Sequence, residues 1–404
     1  MRILIAAAGS RGDVAPYTGL GAALRTAGHD VALATTDAFA PLVREAGLEF
    51  RPLPADPRKG GGNGGTRELL RAAAAFVGEL GQGFADALDR GADLMLLSTT
   101  TAPFGRHLTE ATGIPGLGVY LQPTAPTGDF PPVVSGARSL GRAGNRMAGR
   151  FALRMTDRLY APAVTALRER LGLPPAPPAA PRERLERGDR PVLHGFSTAL
   201  VPRPSDWRPG LRVVGNWWPY HDADARLPPE LEDFLSAGPP PVLIGFGSMA
   251  AGEGERLGAL AAAALRRAGL RGILQSGSAG LAAGGDDVLT VGDVPHAALF
   301  PRLAAVVHHA GAGTAAAALR AGLPAVAVPV TADQPFWARR LAAIGAAPEP
   351  IPYRRLTAER LADALDRAVR RGSCAEAAAR AAKHMAGEDG AGRVVEAVER
   401  PAGS

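Results

Sequence analysis

The chain has 404 residues, 46% of them hydrophobic and 21% charged, which describes a globular protein and excludes a disordered or fibrous one. Its length suits two domains of roughly 200 residues each, and no apolar run approaches the roughly 18 residues of a membrane-crossing helix. The formal charge of +6 comes almost wholly from arginine, since Lys59 and Lys383 are the only lysines. No RRM, helix-turn-helix or zinc-finger pattern accompanies it, so nucleic acid is not an expected partner. A modest positive balance suits a protein that holds a nucleoside diphosphate or visits an anionic membrane surface. The single cysteine, Cys374, excludes an internal disulfide and a cysteine metal cluster.

The N-terminal run Met1-Arg2-Ile3-Leu4-Ile5-Ala6-Ala7-Ala8-Gly9 has no basic leader and too short an apolar core for a signal peptide. It reads as a first buried strand, and a cytoplasmic location is expected. Strands are predicted over 2–8, 30–34, 49–53, 93–97 and 116–121, with helices over 16–27, 39–46, 67–89 and 104–111 between them. This alternation implies a parallel sheet covered on both faces. The glycine run at 60–65 reads as a mobile loop. Arg138, Arg142, Arg146, Arg150, Arg154 and Arg158 recur every four residues, a step that drifts about 40° around a helix. Met147, Phe151, Met155 and Leu159 share that spacing and are expected to face the core of a solvated amphipathic helix, with docking of its basic surface on membrane as the alternative.

A proline-rich connector at 174–181 and strands at 192–196 and 211–214 close a first domain, residues 1–215. Residues 216–241 read as the interdomain linker, followed by a second domain over 242–389. Its predicted strands are 242–246, 272–275, 288–291, 304–307 and 325–328, and its helices 256–268, 314–321, 334–344 and 358–371. A final helix within 390–404 is expected to pack back on the first half. The fold class is thus α/β, with two doubly wound parallel sheets and a ligand cleft between their carboxyl ends.

Two segments carry chemistry. Gly9-Ser10-Arg11-Gly12-Asp13-Val14-Ala15-Pro16 follows the first strand, so Asp13 stands at that sheet's carboxyl end. An aspartate there is an ordinary helix cap, and a carboxylate with a free oxygen is also a general base for a hydroxyl. His308-His309-Ala310-Gly311-Ala312-Gly313-Thr314 lies between a strand and an alanine-rich helix, with Asp333-Gln334 beginning nineteen residues after Thr314. Small residues at a helix start let unpaired N–H groups approach a phosphate. The segment is neither a Walker loop nor a G-x-G-x-x-G fingerprint. Blander readings exist: packing histidines for His308 and His309, a helix cap for Asp333-Gln334, a turn for Ser248, and packing for Trp217-Trp218 and Trp337.

Together these runs, with Leu193-His194-Gly195-Phe196-Ser197, Arg203-Pro204-Ser205-Asp206-Trp207, Gly215-Asn216-Trp217-Trp218, Gly245-Phe246-Gly247-Ser248-Met249 and Val294-Pro295-His296, resemble the family 1 glycosyltransferases of the GT-B fold. Within that family the chain is most similar to sterol glucosyltransferases and to bacterial enzymes that glycosylate antibiotic aglycones. The resemblance implies that Asp13 deprotonates the acceptor and that Ser248 contacts the donor diphosphate. It places Val294 and Pro295 beside the nucleobase, His309, Gly311, Gly313 and Thr314 around the diphosphate, and Asp333 and Gln334 on sugar hydroxyls. Ser10 and Gly12 join this donor-binding set. Many UDP-sugar enzymes of the family hold the ribose with a glutamate eight residues after the cradle histidine; here that position is Ala317. The donor is therefore open between a UDP- and a dTDP-sugar.

Phe76, Phe84, Leu121, Phe130 and Met147 are the candidates for an apolar acceptor wall. The implied activity is inverting, metal-independent transfer of a hexose or deoxyhexose to a hydroxyl of a lipophilic acceptor, by a monomer or homodimer needing no cofactor beyond the nucleotide-sugar. A UDP-amino-sugar epimerase would need further acid–base residues in the cleft. A non-catalytic helper of the same fold would be expected to lose the histidine or the Asp-Gln pair, and a nicotinamide oxidoreductase lacks its fingerprint here.

Overall fold

The computed structural model describes residues 1–54, 66–136, 138–177, 179–221, 226–247, 252–277 and 280–400, with backbone alone for 66–70. The glycine run at 60–65 and Ser248 lie outside the described residues. The first sheet holds β1 (Arg2–Ala6), β2 (Asp30–Thr35), β3 (Glu49–Pro52), β4 (Leu94–Leu97), β5 (Gly116–Tyr120), β6 (Val192–His194) and β7 (Leu211–Val213), ordered β3-β2-β1-β4-β5-β6-β7. The second holds β8 (Val242–Gly245), β9 (Gly272–Gln275), β10 (Val288–Val291), β11 (Ala305–His308) and β12 (Ala325–Ala327), ordered β10-β9-β8-β11-β12. Every strand pairing is parallel.

Helices α1 (Arg11–Thr26), α2 (Ala40–Glu45), α3 (Thr66–Leu88), α4 (Ala102–Thr112), α5 (Gly141–Arg170) and α6 (Ala180–Arg187) belong to the first half. The linker holds α7 (Pro229–Ser236), and α8 (Gly254–Ala268), α9 (His296–Leu299), α10 (Ala312–Arg320), α11 (Gln334–Ala343), α12 (Ala358–Arg370) and α13 (Ser373–Met385) follow. The last helix, α14 (Gly390–Glu399), packs against α1, where the buried Trp217 indole donates to the Gly390 carbonyl at 3.0 Å.

Side-chain alternation explains why both sheets are covered twice. Ile3, Ile5 and Ala7 enter the core beneath α1 and α14, while Leu4, Ala6 and Ala8 enter the one formed with α3, α4 and α5. In the second sheet Val242, Ile244, Ala305 and Val307 face α8 and α12, while Leu243 and Val306 face the opposite side. That opposite side is shared between the halves. Phe196, Leu200, Val201 and Trp207, from the segment after β6, pack in one cluster with Leu231 and Leu235 of α7 and with Leu319, Phe336, Trp337 and Leu341. Arg340 Nε donates to the Leu200 carbonyl at 2.8 Å, and the Thr198 hydroxyl donates to Glu388 Oε1 at 2.9 Å across the same boundary.

Three expectations change. The first helix begins at Arg11, not at 16, because Ser10 and Asp13 close its opening turn ahead of Pro16. Among the linker residues Pro229–Ser236 is helical: Glu230 and Glu232 lie in its first turn and Leu231 and Leu235 are buried. On α5, Met147, Phe151 and Met155 face solvent, whereas Asn145, Gly149, Tyr160, Val164 and Leu167 are buried. The helix needs its small residue inward, since a Cβ on Gly149 would stand 2.9 Å from Pro126 Cβ. That choice turns the 147–155 stripe outward; Leu159 is half-buried against the first core.

Two predictions follow from this packing. Phe196→Ala should lower unfolding stability by about 3–5 kcal/mol, and the native chain should melt in one calorimetric transition; two separable transitions would contradict a shared core. Burial holds His107 and His194 down to about 4 and His308 to about 3, with Arg168 adding to the effect at His107. Below pH ~6.5 the unfolded chain takes up protons that these folded imidazoles refuse. Stability is therefore full above that pH and falls by about 1.4 kcal/mol per pH unit for each histidine on acidification toward pH ~4. Urea midpoints at successive pH values check this, and a flat profile over that window would refute neutral burial.

Candidate active site

The carboxyl ends of β1 and β4 flank the point where the first sheet's strand order reverses, and β8 and β11 flank that of the second. Open α/β sheets bind ligands at such points, and both chemistry-bearing segments emerge there. After β1, Gly9 takes a φ of +145°, and a Cβ on it would stand 2.6 Å from Asp13 Oδ2. Only glycine allows the loop to fold over the carboxylate. Asp13 Oδ2 accepts hydrogen bonds from the Ser10 N–H and the Ser10 hydroxyl, each at 2.8 Å. Burial raises the Asp13 pKa above the ordinary carboxylate value, against the pull of those two Ser10 bonds. The bonds engage one carboxylate oxygen, so capping and catalysis are compatible. Ser10, which caps α1, and Gly12 in its first turn are both exposed.

After β11 the backbone makes an anion cradle. Ala310 is held at φ +63°, an unusual conformation for a residue with a side chain, and its N–H donates to His308 Nδ1 at 2.9 Å. His308 is thus a buried brace for the turn. A Cβ on Gly311 would stand 2.7 Å from His309 Nε2, so glycine is required where the ring lies. Gly311 caps α10, which begins at Ala312, two residues before the predicted start. The N–H groups of Ala312, Gly313 and Thr314 fall in the first turn, which has no intrahelical partners. The His309 ring also approaches Gly247 of the loop after β8. Its Nδ1 is buried without a hydrogen-bond partner, and burial lowers its pKa, keeping the ring neutral.

Asp333 and Gln334 open α11 behind Ala332, another side-chain-bearing residue at positive φ (+55°). Asp333 makes no side-chain cap; its Oδ2 accepts from Trp337 Nε1 at 2.8 Å and from Gln122 Nε2 at 3.1 Å. Burial raises its pKa, opposed by the Trp337 bond and aided by the negative charge of Asp13. Gln334 Oε1 accepts from the Val330 and Thr331 N–H groups at 2.8 and 3.1 Å, tying the loop to its helix. Gln122, just past β5, is the site residue that sequence reasoning missed: its partner lies 211 positions away, and no local pattern marks it. Trp337 is buried in the shared core and braces Asp333 rather than offering a stacking face.

Val294 and Pro295 are half-buried at the start of α9, with Arg11 of the first domain 3.6 Å from Asp293 beside them. Ala317 is half-buried on α10. Trp217 sits in the core beneath α1 and α14, and Trp218 carries Arg320 over its ring at 4.4 Å, so both are packing residues.

The five acceptor candidates do not form one wall. Phe84 is fully buried in the first core, because its place on α3 belongs to the helix's inner stripe with Leu80 and Leu88. Met147 is 70% exposed on the outer side of α5. Both are corrections. Phe76 packs against the first core, Leu121 lies beside Gln122, and Phe130 meets Phe336 edge-on with ring centroids 5.2 Å apart.

The chain is similar in sequence and in fold to known proteins. Residues 3–131 match the glycosyltransferase family 28 N-terminal domain, and residues 274–400 match the erythromycin biosynthesis protein CIII-like C-terminal domain. The O-mycaminosyltylonolide 6-deoxyallosyltransferase of Streptomyces fradiae is 39% identical over 96% of this chain and 95% of its own. A sterol 3-beta-glucosyltransferase of Arabidopsis thaliana is 35% identical over 97% of this chain and 64% of its own. Among solved structures, the kitacinnamycin glycosyltransferase is 20% identical with a TM-score of 0.76, covering 99% of this chain and 98% of that one. The Streptomyces glycosyltransferase SsfS6 is 24% identical with a TM-score of 0.66, covering 99% of this chain and 100% of that one. With its two parallel sheets, its cradle after β11 and full-length similarity to glycosyl-transferring relatives, the chain belongs to the family 1 glycosyltransferases of the GT-B fold.

Proposed function

We propose that the chain transfers a hexose or deoxyhexose from a UDP- or dTDP-sugar to a hydroxyl of a lipophilic acceptor of polyketide or sterol type, with inversion and without a metal. The observation that carries this reading is the unpaired helix start of α10, set behind a left-handed Ala310 and the buried His309 ring at the point where the second sheet's strand order reverses. The diphosphate accepts hydrogen bonds from the N–H groups of Ala312, Gly313 and Thr314 and from the neutral His309 ring. Asp333 and Gln334 hold sugar hydroxyls. The acceptor oxygen attacks the anomeric carbon from the side opposite the diphosphate, its proton passes to Asp13, and the carbon–oxygen bond to the diphosphate breaks. The hydroxyl acidifies as its bond to carbon forms, so a carboxylate of raised pKa is an adequate base. Stabilising the departing charge with fixed dipoles supplies the larger share of the rate.

The similarity to a relative named for deoxyallosyl transfer, with Ala317 in place of a ribose-binding carboxylate, favours dTDP-sugars. The likeness to sterol glucosyltransferases keeps UDP-glucose as the competing donor.

Asp13→Asn should reduce turnover by about 10²–10⁴-fold while the melting-temperature shift on adding nucleoside diphosphate stays unchanged; retained turnover would remove the base assignment. A diphosphate at a hundredfold excess over its Kd should stabilise the native chain by about 2.7 kcal/mol. The nucleotide that does so, dTDP or UDP, identifies the donor class, and His309→Ala should shrink the response. A shift that survives that substitution would displace the proposed donor site.

A further inference from the structure

Among the described residues, all the exposed large hydrophobic side chains but Met1 lie between residues 134 and 155. Val134 and Leu140 are each 63% exposed, Met147 70%, Phe151 60% and Met155 44%. Leu140, Met147, Phe151 and Met155 lie at seven- or four-residue spacings, which keeps them within one quadrant of the helix. Arg158 falls inside the same sector, Arg154 lies about 20° outside one edge of it and Arg150 about 60° outside. All three are exposed and have no ion-pair partner among the described residues. The acids nearby are taken: Asp129 pairs with Arg142, Asp206 with Arg146 at 2.6 Å, and Asp157 with Arg182 at 2.8 Å. No Asp or Glu occurs from 141 to 156.

We infer that this face of α5 docks the enzyme on an anionic lipid bilayer, with Met147, Phe151 and Met155 entering the headgroup boundary and Arg150, Arg154 and Arg158 meeting lipid phosphates. Exposed apolar side chains interleaved with unpaired cations and free of acids are complementary to such a surface. A second copy is a poor occupant, because a two-fold contact sets a patch against itself and would oppose the arginines to each other. The face is also anchored rigidly to the cleft. Phe130 and Val133, just ahead of it, pack into the shared core, and Arg339 Nη1 donates to the Gly136 carbonyl at 3.2 Å.

The test is co-sedimentation of the full chain with vesicles of phosphatidylcholine alone and of equal parts phosphatidylcholine and phosphatidylglycerol. Wild type should pellet with the anionic vesicles at low salt and be released near 0.5 M salt, where the Debye length falls to about 4 Å. Replacing Arg150, Arg154 and Arg158 together by Gln should weaken partitioning about fivefold per charge. Phe151→Ser should weaken it about tenfold. Both variants alter exposed side chains, and unchanged melting curves confirm that they fold. The inference is overturned if wild type stays in the supernatant with anionic vesicles, or if both variants bind as wild type does. It also fails if sedimentation equilibrium shows a dimer that Phe151→Ser dissolves, which would assign the face to a second copy.

Discussion

A helix start with nothing to pair with is the constraint around which this enzyme is organised. The first-turn N–H groups of α10 have no carbonyl to meet, and they open at the reversal point of the second sheet. Holding them there takes a left-handed Ala310, a Gly311 that no larger residue can replace beside His309, and a buried His308 that spends its Nδ1 on the turn. Such a site has a net positive potential with no formal charge. In the proposed reaction it would meet a diphosphate with dipoles that need no reorganisation when the leaving group takes up charge.

Two half-buried carboxylates, Asp13 of the first half and Asp333 of the second, complete the candidate site. Asp13 and Asp333 are each pushed toward the protonated form by burial, and Asp13 adds to that push on Asp333. Ser10 steadies one, and Trp337 with Gln122 steadies the other. The Gln122 bond joins the halves at the point where the sugar is proposed to lie, so donor and first domain share one acceptor group. The bond is thus a direct physical link between occupancy of the sugar site and the relation of the two sheets.

The sheets and the cradle were legible in sequence because each has a local signature. Parallel strands buried on both faces read as short apolar runs, and an anion site needs small residues where a strand meets a helix. Boundaries were less legible. Pro16 suggested a helix start, but Ser10 and Asp13 start the helix five residues earlier. Long-range partners left no signature at all: nothing near Gln122 announces Asp333. Apolar spacing alone also failed on α5. Phe84 and Met147 both looked like wall residues, yet one faces inward and the other outward, because the small Gly149 and not the large side chains decides which side of α5 is buried.

The segment around Phe196 has a bearing on how this scaffold can be re-engineered. Phe196, Leu200, Val201 and Trp207 follow a strand of the first sheet but are buried with α10, α11 and the linker helix. A chimera that exchanges acceptor and donor halves at the chain's visible linker would sever that cluster and leave four apolar side chains facing surfaces that did not evolve to receive them. A joint upstream of Phe196 keeps the wedge with the donor half, and carries with it β7, the edge strand of the first sheet. Specificity in this architecture is modular only if that wedge travels with the donor half.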